Sequence, residues 1–308
     1  MNLVHEVCLV LDDNLISYDL MRLDSSSPRD YHVITDHSRV VVKLLKPEHS
    51  VDPLNNEVLF SVNSDYGMNP LVEDIRHKDS SGFPIFLSAW EWVSCRPRSQ
   101  SGLNIIEVAQ AGRELFKFHG LGRYPGLVLD PMTEFTGYTE KLKSYSFNYL
   151  TADSQSRLKD VFTHLIQPNS ELLDLAPDFN VVSHGSIAPE KLMVRNDGSV
   201  FWSDYRHVRS APREYDLAYM YLHLRHRLNS RELWDMFKAE YSKDLNRDVN
   251  DHMLNQFCGL LLGRRALTLA SKTLHSERED KLKGFLKELE PLVKGVPVQD
   301  IKSFSHLH

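Results

Sequence analysis

The chain has 308 residues, 42% of them hydrophobic and 25% charged, and a formal net charge of -6. That length suits one large domain or two lobes with cores of their own, and the composition is that of an ordinary globular chain. The mild negative charge, with Lys and Arg scattered, argues against a nucleic-acid partner, and no run of 18 apolar residues suggests a membrane-spanning helix.

The three cysteines, Cys8, Cys95 and Cys258, lie far apart and form no metal-spaced cluster, which predicts a reducing, cytoplasmic compartment. The apolar stretch Val7 to Val10 is flanked by His5, Glu6, Asp12 and Asp13, unlike the basic flank of a signal peptide. Residues 1–93 read as strand-rich with one helix. Residues 31–35 and 39–45 are β-branched runs on either side of Asp36-His37, the pattern of a hairpin. Pro47 and Pro53 bracket a loop, residues 55–62 follow as a helix with an apolar face, and residues 84–93 form a further apolar strand. The polar stretch 94–102, with Arg96, Pro97 and Arg98, reads as the linker between lobes.

From residue 103 the period changes. Ile105, Val108, Ala109, Gly112, Leu115, Phe116 and His119 recur at steps of three and four and predict a helix with one buried stripe, ended by Gly120. Further helices are expected over 154–166, 214–228, 231–245, 251–273 and 277–293. The expected fold is α+β: a small antiparallel-sheet N-lobe, 1–93, and a larger helical C-lobe, 94–308, that carries a hairpin over 192–204.

Chemistry concentrates in Val181-Val-Ser-His-Gly-Ser-Ile-Ala-Pro-Glu-Lys-Leu-Met-Val194 and in Phe201-Trp-Ser-Asp204. A short strand, a His184-Gly185 turn, a second apolar strand and an acidic residue at the end of the hairpin make a compact holder for phosphate-bound metal. Phosphoryl transfer passes through a loose transition state and depends chiefly on positioning and on cations near the phosphates. Lys43 is the one charged residue inside the run Val40-Val-Val-Lys-Leu-Leu45, and Glu57 lies near the start of the following helix. Such a pair suits a cleft lysine held by a helix carboxylate; an outward strand lysine and a solvated glutamate is the plainer alternative.

These residues resemble the aminoglycoside phosphotransferase and choline kinase-like family, which shares the protein-kinase fold. Its pattern is His-Gly-Asp, four residues, Asn, an apolar strand, an Asp, then Asp-Leu-Ala. Here the chain reads His184-Gly185-Ser186, Lys191-Leu-Met-Val, Trp202-Ser-Asp204 and Asp216-Leu-Ala218. The resemblance implies a two-lobed protein-kinase-like fold that binds ATP and Mg2+. It makes Asp204 the metal ligand, sets Lys43 on the α and β phosphates with Glu57 behind it, and places the backbone of Ala89, Trp90, Glu91 and Trp92 at the adenine edge. It makes Asp216 a brace for the catalytic loop and His184 a structural residue.

The chain departs from the pattern at three places. Ser186 replaces the catalytic Asp and lacks the basicity to take a hydroxyl proton. Lys191 replaces the Asn that ligates a second metal. The phosphate-covering loop, expected over 24–30, holds no glycine. The first two changes remove one negative charge and add one positive charge at the catalytic positions, Ser186 and Lys191. Either Lys191 stands in for the second metal, or the site has drifted after losing catalysis. The implied function is an ATP-binding phosphotransferase-fold protein, whether a slow or atypical kinase of a small-molecule or peptide hydroxyl or a nucleotide-binding pseudokinase. The alternative is a scaffold that holds a protein partner and binds no nucleotide.

Overall fold

A computed structural model describes residues 15–21, 29–35, 39–45, 60–61, 66, 70–78, 84–91, 95–97, 104–121, 150–166, 180–228, 230–245, 248–271, 276–301 and 304. The chain divides into two compact units. The first takes in the described parts of Met1–Gly102 together with Glu190–Val208, and the second the remainder, so the chain crosses between units at 189–190 and returns at 208–209.

The first unit is built on an antiparallel sheet of five strands, β1 (Leu15–Met21), β2 (Arg29–Thr35), β3 (Arg39–Leu45), β4 (Pro70–Lys78) and β5 (Pro84–Glu91), in the order β1-β2-β3-β5-β4. The β-branched runs expected as strands form its centre. Val40, Val41 and Val42 are all buried, and because successive strand residues point to opposite faces, both faces are covered there. Phe60 and Ser61, from the expected helix 55–62, are helical and buried. The expected turn at Asp36-His37 and loop over 47–53 lie outside the described residues. Arg29 and Asp30, from the expected phosphate-covering loop, are instead the first two residues of β2, opposite Leu44 and Lys43.

A smaller sheet of β6 (Cys95–Pro97), β8 (Leu192–Arg195) and β9 (Val200–Trp202), in the order β6-β8-β9, completes the first unit. Part of the stretch expected to be a polar linker is therefore a strand, with Cys95, Arg96 and Pro97 opposite Arg195, Val194 and Met193. Pairing uses backbone groups, and a proline at the end of an edge strand forfeits little. The β8–β9 hairpin expected over 192–204 is present, with Leu192 opposite Trp202. Gly198, at φ +81, lets its turn close in the left-handed region, and the Gly198 N–H donates to the Arg195 carbonyl at 2.9 Å.

The second unit is mostly helical. Helix α1 (Ile105–His119) follows the predicted stripe: Val108, Ala109, Leu115 and His119 are buried. Asn104 and Glu107 form a reciprocal capping box at its start, and Gly120 ends it. Helix α2 (Ala152–Val161), capped by Thr151, runs on as a wider π-helical turn, Phe162–Ile166, and α3 (Arg213–Tyr221) does the same through Leu222–Arg227. Helices α4 (Arg231–Ser242), α5 (Asp251–Ser271) and α6 (Ser276–Val293) follow. Helix α1 packs on α4, α2 on α6 and α3 on α5. A two-stranded ribbon of β7 (Asn180–Ser183) and β10 (Arg209–Pro212) carries the chain into the loop at His184 and out toward α3. Among the described residues no helix is long and apolar enough to cross a membrane.

Candidate functional site

The chemistry-bearing loop of the second unit starts where β7 ends. His184 is fully buried, and Gly185 adopts φ +77, a left-handed turn that glycine takes without strain. Both residues point their backbone N–H groups at one carboxylate: His184 donates to Asp216 Oδ2 at 2.6 Å and Gly185 to Asp216 Oδ1 at 2.9 Å. His119 Nε2 lies 3.0 Å from Asp216 Oδ2, and His119 Nδ1 is 2.7 Å from the Tyr241 hydroxyl. Burial pushes the Asp216 carboxyl up, but His119, His184 and the backbone donors outweigh it and hold the carboxyl below its usual range. Burial likewise pushes the Tyr241 phenol up, so it stays a neutral partner for His119. The His184 ring sits against Phe118, at 5.7 Å between centroids. Asp216 thus fixes the backbone on which Ser186 stands, and Ser186 itself is half-buried.

In the first unit, the β8–β9 hairpin brings Lys191 and Asp204 together. The Lys191 carbonyl accepts from both the backbone N–H and the hydroxyl of Ser203, at 2.9 and 3.0 Å, which straps the start of one strand to the end of the other. Asp204 follows with φ 69 and ψ 70, the left-handed region, and is the only non-glycine residue with positive φ among those described. That conformation costs on the order of 1–3 kcal/mol and persists only where its surroundings over-determine it. The surroundings here are two cations. Lys191 Nζ lies 2.9 Å from Asp204 Oδ2, and Arg206 Nε donates to Asp204 Oδ1. Burial pushes the Asp204 carboxyl up, but Lys191 and Arg206 overcome it and hold the carboxyl well below the usual range. Beneath the loop Tyr205 is buried against Phe60 and Tyr66, at 4.8 and 6.0 Å between ring centroids, and the Tyr66 hydroxyl accepts from the Trp202 N–H at 3.4 Å.

The remaining expected site residues are placed mainly by the large sheet. Lys43 is on β3, opposite Asp30 of β2 and Ser88 of β5. Ala89, Trp90 and Glu91 end β5, opposite Val42, Val41 and Val40, so they share a strand pair with Lys43; Trp90 is fully buried. Glu57 and Trp92 lie outside the described residues.

Sequence reasoning missed Arg206, and with it the second clamp on Asp204. It also missed Tyr241, which is 122 positions from its partner His119.

The donor set at Asp204 does not fit a magnesium ion as arranged. Magnesium demands near-octahedral oxygen ligation. Both oxygens of Asp204 already receive N–H groups from cations, the position expected to hold a second ligand is an ammonium, and among the described residues no group of three or more His, Cys, Asp or Glu side chains could hold a metal. What the cluster shows is two cations on one carboxylate, all three side chains partly exposed.

No protein-family profile matches the chain, and no curated protein is similar to it in sequence. Solved structures are similar in fold along nearly the whole chain. A choline kinase from Streptococcus pneumoniae is 15% identical, with 92% of this chain and 97% of that chain covered and a TM-score of 0.63. A spectinomycin phosphotransferase, solved with ADP and spectinomycin, is 14% identical over 98% of this chain and 97% of that one, with a TM-score of 0.65. An amicoumacin kinase, solved with AMP-PNP and Ca2+, is 12% identical over 96% and 95%, with a TM-score of 0.69. The chain therefore has the α+β, two-lobed fold of the aminoglycoside phosphotransferase and choline kinase-like structures.

Proposed function

We propose that the chain is a nucleotide-binding protein of the small-molecule kinase fold that has lost fast phosphoryl transfer, a pseudokinase. The observation that carries the reading is the pair of ion pairs Lys191–Asp204 and Arg206–Asp204, in which the carboxylate expected to hold the catalytic metal is taken up by the protein's own cations. Ser186 adds to it: a serine hydroxyl is no general base at neutral pH, and loss of a base costs about 10²- to 10⁴-fold. Lys43 within β3 and Ala89 to Glu91 at the end of the neighbouring strand support the nucleotide part of the reading.

ATP is the proposed ligand. Two of the similar structures were solved with ADP or AMP-PNP, and two are named for choline or spectinomycin, which supports a small-molecule hydroxyl as the acceptor of any residual slow transfer. Titration calorimetry with ATP tests the reading, and saturable binding with a Kd below about 1 mM, or ~4 kcal/mol, is expected. No heat at millimolar ATP, with and without magnesium, would leave the scaffold reading, in which the fold holds a protein partner.

A further inference from the structure

We propose that the Lys191–Asp204–Arg206 cluster binds nucleotide phosphate without a divalent metal, the two side-chain cations supplying the charge that a carboxylate-bound magnesium would otherwise supply. The inference rests on the nucleotide-binding reading and concerns how that same site is charged.

Charge balance is the first argument. A divalent ion on one aspartate leaves a net charge of about +1, and an ammonium and a guanidinium on one aspartate leave the same. On these three groups the cluster matches the charge of a carboxylate-bound divalent ion. An isolated Lys191 beside Asp204 would leave the site neutral, so Arg206 is required for the equivalence. The arginine is always charged and its fork suits phosphate oxygens.

Geometry is the second. Lys191 and Asp204 are tied through backbone as well as side chain, because the Lys191 carbonyl takes both donors of Ser203. Asp204 is held in a left-handed conformation that turns its carboxylate between the two cations. Side-chain exposures of 17% for Lys191, 16% for Asp204 and 12% for Arg206 describe a cluster that is shielded enough to act strongly, yet still reachable by an anion. A magnesium ion entering at Asp204 would have to displace one of these cations from a carboxylate oxygen and lie close to the other. The competition disfavours the metal and leaves an anion as the complementary ligand.

The test is calorimetric titration of the full chain with ATP, once in magnesium buffer and once in EDTA, for the parent and for Lys191→Asn and Arg206→Gln. The proposal predicts parent dissociation constants within about 3-fold of each other in the two buffers, a difference below ~1 kcal/mol. In EDTA, Lys191→Asn and Arg206→Gln are each expected to bind at least about 10-fold more weakly than the parent. In magnesium, Lys191→Asn is expected to recover affinity, because it returns a neutral oxygen donor beside Asp204. Circular dichroism melts identify any variant that fails to fold; the other variant and the parent comparison then carry the test. Parent binding that appears only with magnesium overturns the proposal while leaving the nucleotide-binding reading intact. Parent-like binding of folded Lys191→Asn and Arg206→Gln in EDTA also overturns it. No binding of the parent in either buffer overturns both.

Discussion

Asp216→Ala strikes the point on which the loop backbone depends. Asp216 is fully buried and accepts from the His184 N–H at 2.6 Å and the Gly185 N–H at 2.9 Å, and its Oδ2 lies 3.0 Å from His119 Nε2. Removing the carboxylate leaves two backbone donors without an acceptor in a place water does not reach. Each such orphan costs about 1–3 kcal/mol, so the variant should lose roughly 3–5 kcal/mol, a large part of a typical 5–15 kcal/mol stability. Asp216→Asn keeps one carbonyl oxygen but turns an NH2 toward a donor, and is expected to lose about half as much. Urea unfolding followed by circular dichroism measures both.

The pH dependence carries a defined sign. The folded-state carboxyl of Asp216 titrates below its ordinary value, so its contribution is fully present above the unfolded value of about 4 and is lost as pH falls through the lower folded value. The carboxyl's own share of the stability gap between parent and Asp216→Asn should therefore persist down to about pH 4 and be lost only in stronger acid. A loss below about 1 kcal/mol for Asp216→Ala at pH 7, or a gap that closes near neutrality, would refute this account of the brace.

Three further perturbations test the packing and the chemistry. Gly112→Ala would place a Cβ 2.6 Å from the Phe237 carbonyl oxygen and 3.2 Å from Tyr241 N, forcing α1 from α4; a loss of about 1–3 kcal/mol in a thermal or urea melt is expected, and a neutral result would mean the helices separate freely. Ser230→Ala removes the side-chain acceptor of the Leu233 N–H, 3.2 Å away, at the start of α4, and should cost about 0.5–2 kcal/mol in the same assay. Cys258 is fully buried and burial pushes its thiol well up, so iodoacetamide at pH 8 should leave it unmodified in the native chain and alkylate it in urea, as read by peptide mapping; rapid native labelling would contradict the burial.

The sequence exposed those features whose causes are local. The α1 stripe and its terminal glycine, the valines of β3, and the two apolar runs of the β8–β9 hairpin each bury side chains at a period that the order of residues displays. Strand β4 was missed because Glu73, Asp74, Arg76, His77 and Lys78 obscure any alternation, and its pairing with β5 has two register shifts. Strand β6 was hidden in a polar stretch because its partner among the described residues is β8, almost a hundred residues away. Within the candidate site, the sequence supplied Lys191 and Asp204 as neighbours through the hairpin. Arg206 was not legible, because its reach back to Asp204 depends on a left-handed backbone at an aspartate, and no residue type announces that. The His119–Tyr241 contact was equally hidden, since it follows from how α1 packs on α4.

The most direct test of the central claim is a crystal structure of the chain grown with ATP and manganese, with data collected at the manganese absorption edge. The account predicts that Lys191 Nζ and Arg206 Nε remain on the oxygens of Asp204, that nucleotide phosphate lies against the two cations, and that no anomalous peak lies within metal-ligand distance, about 2–2.6 Å, of that carboxylate. A manganese peak bound to Asp204, with Lys191 swung away, would contradict it.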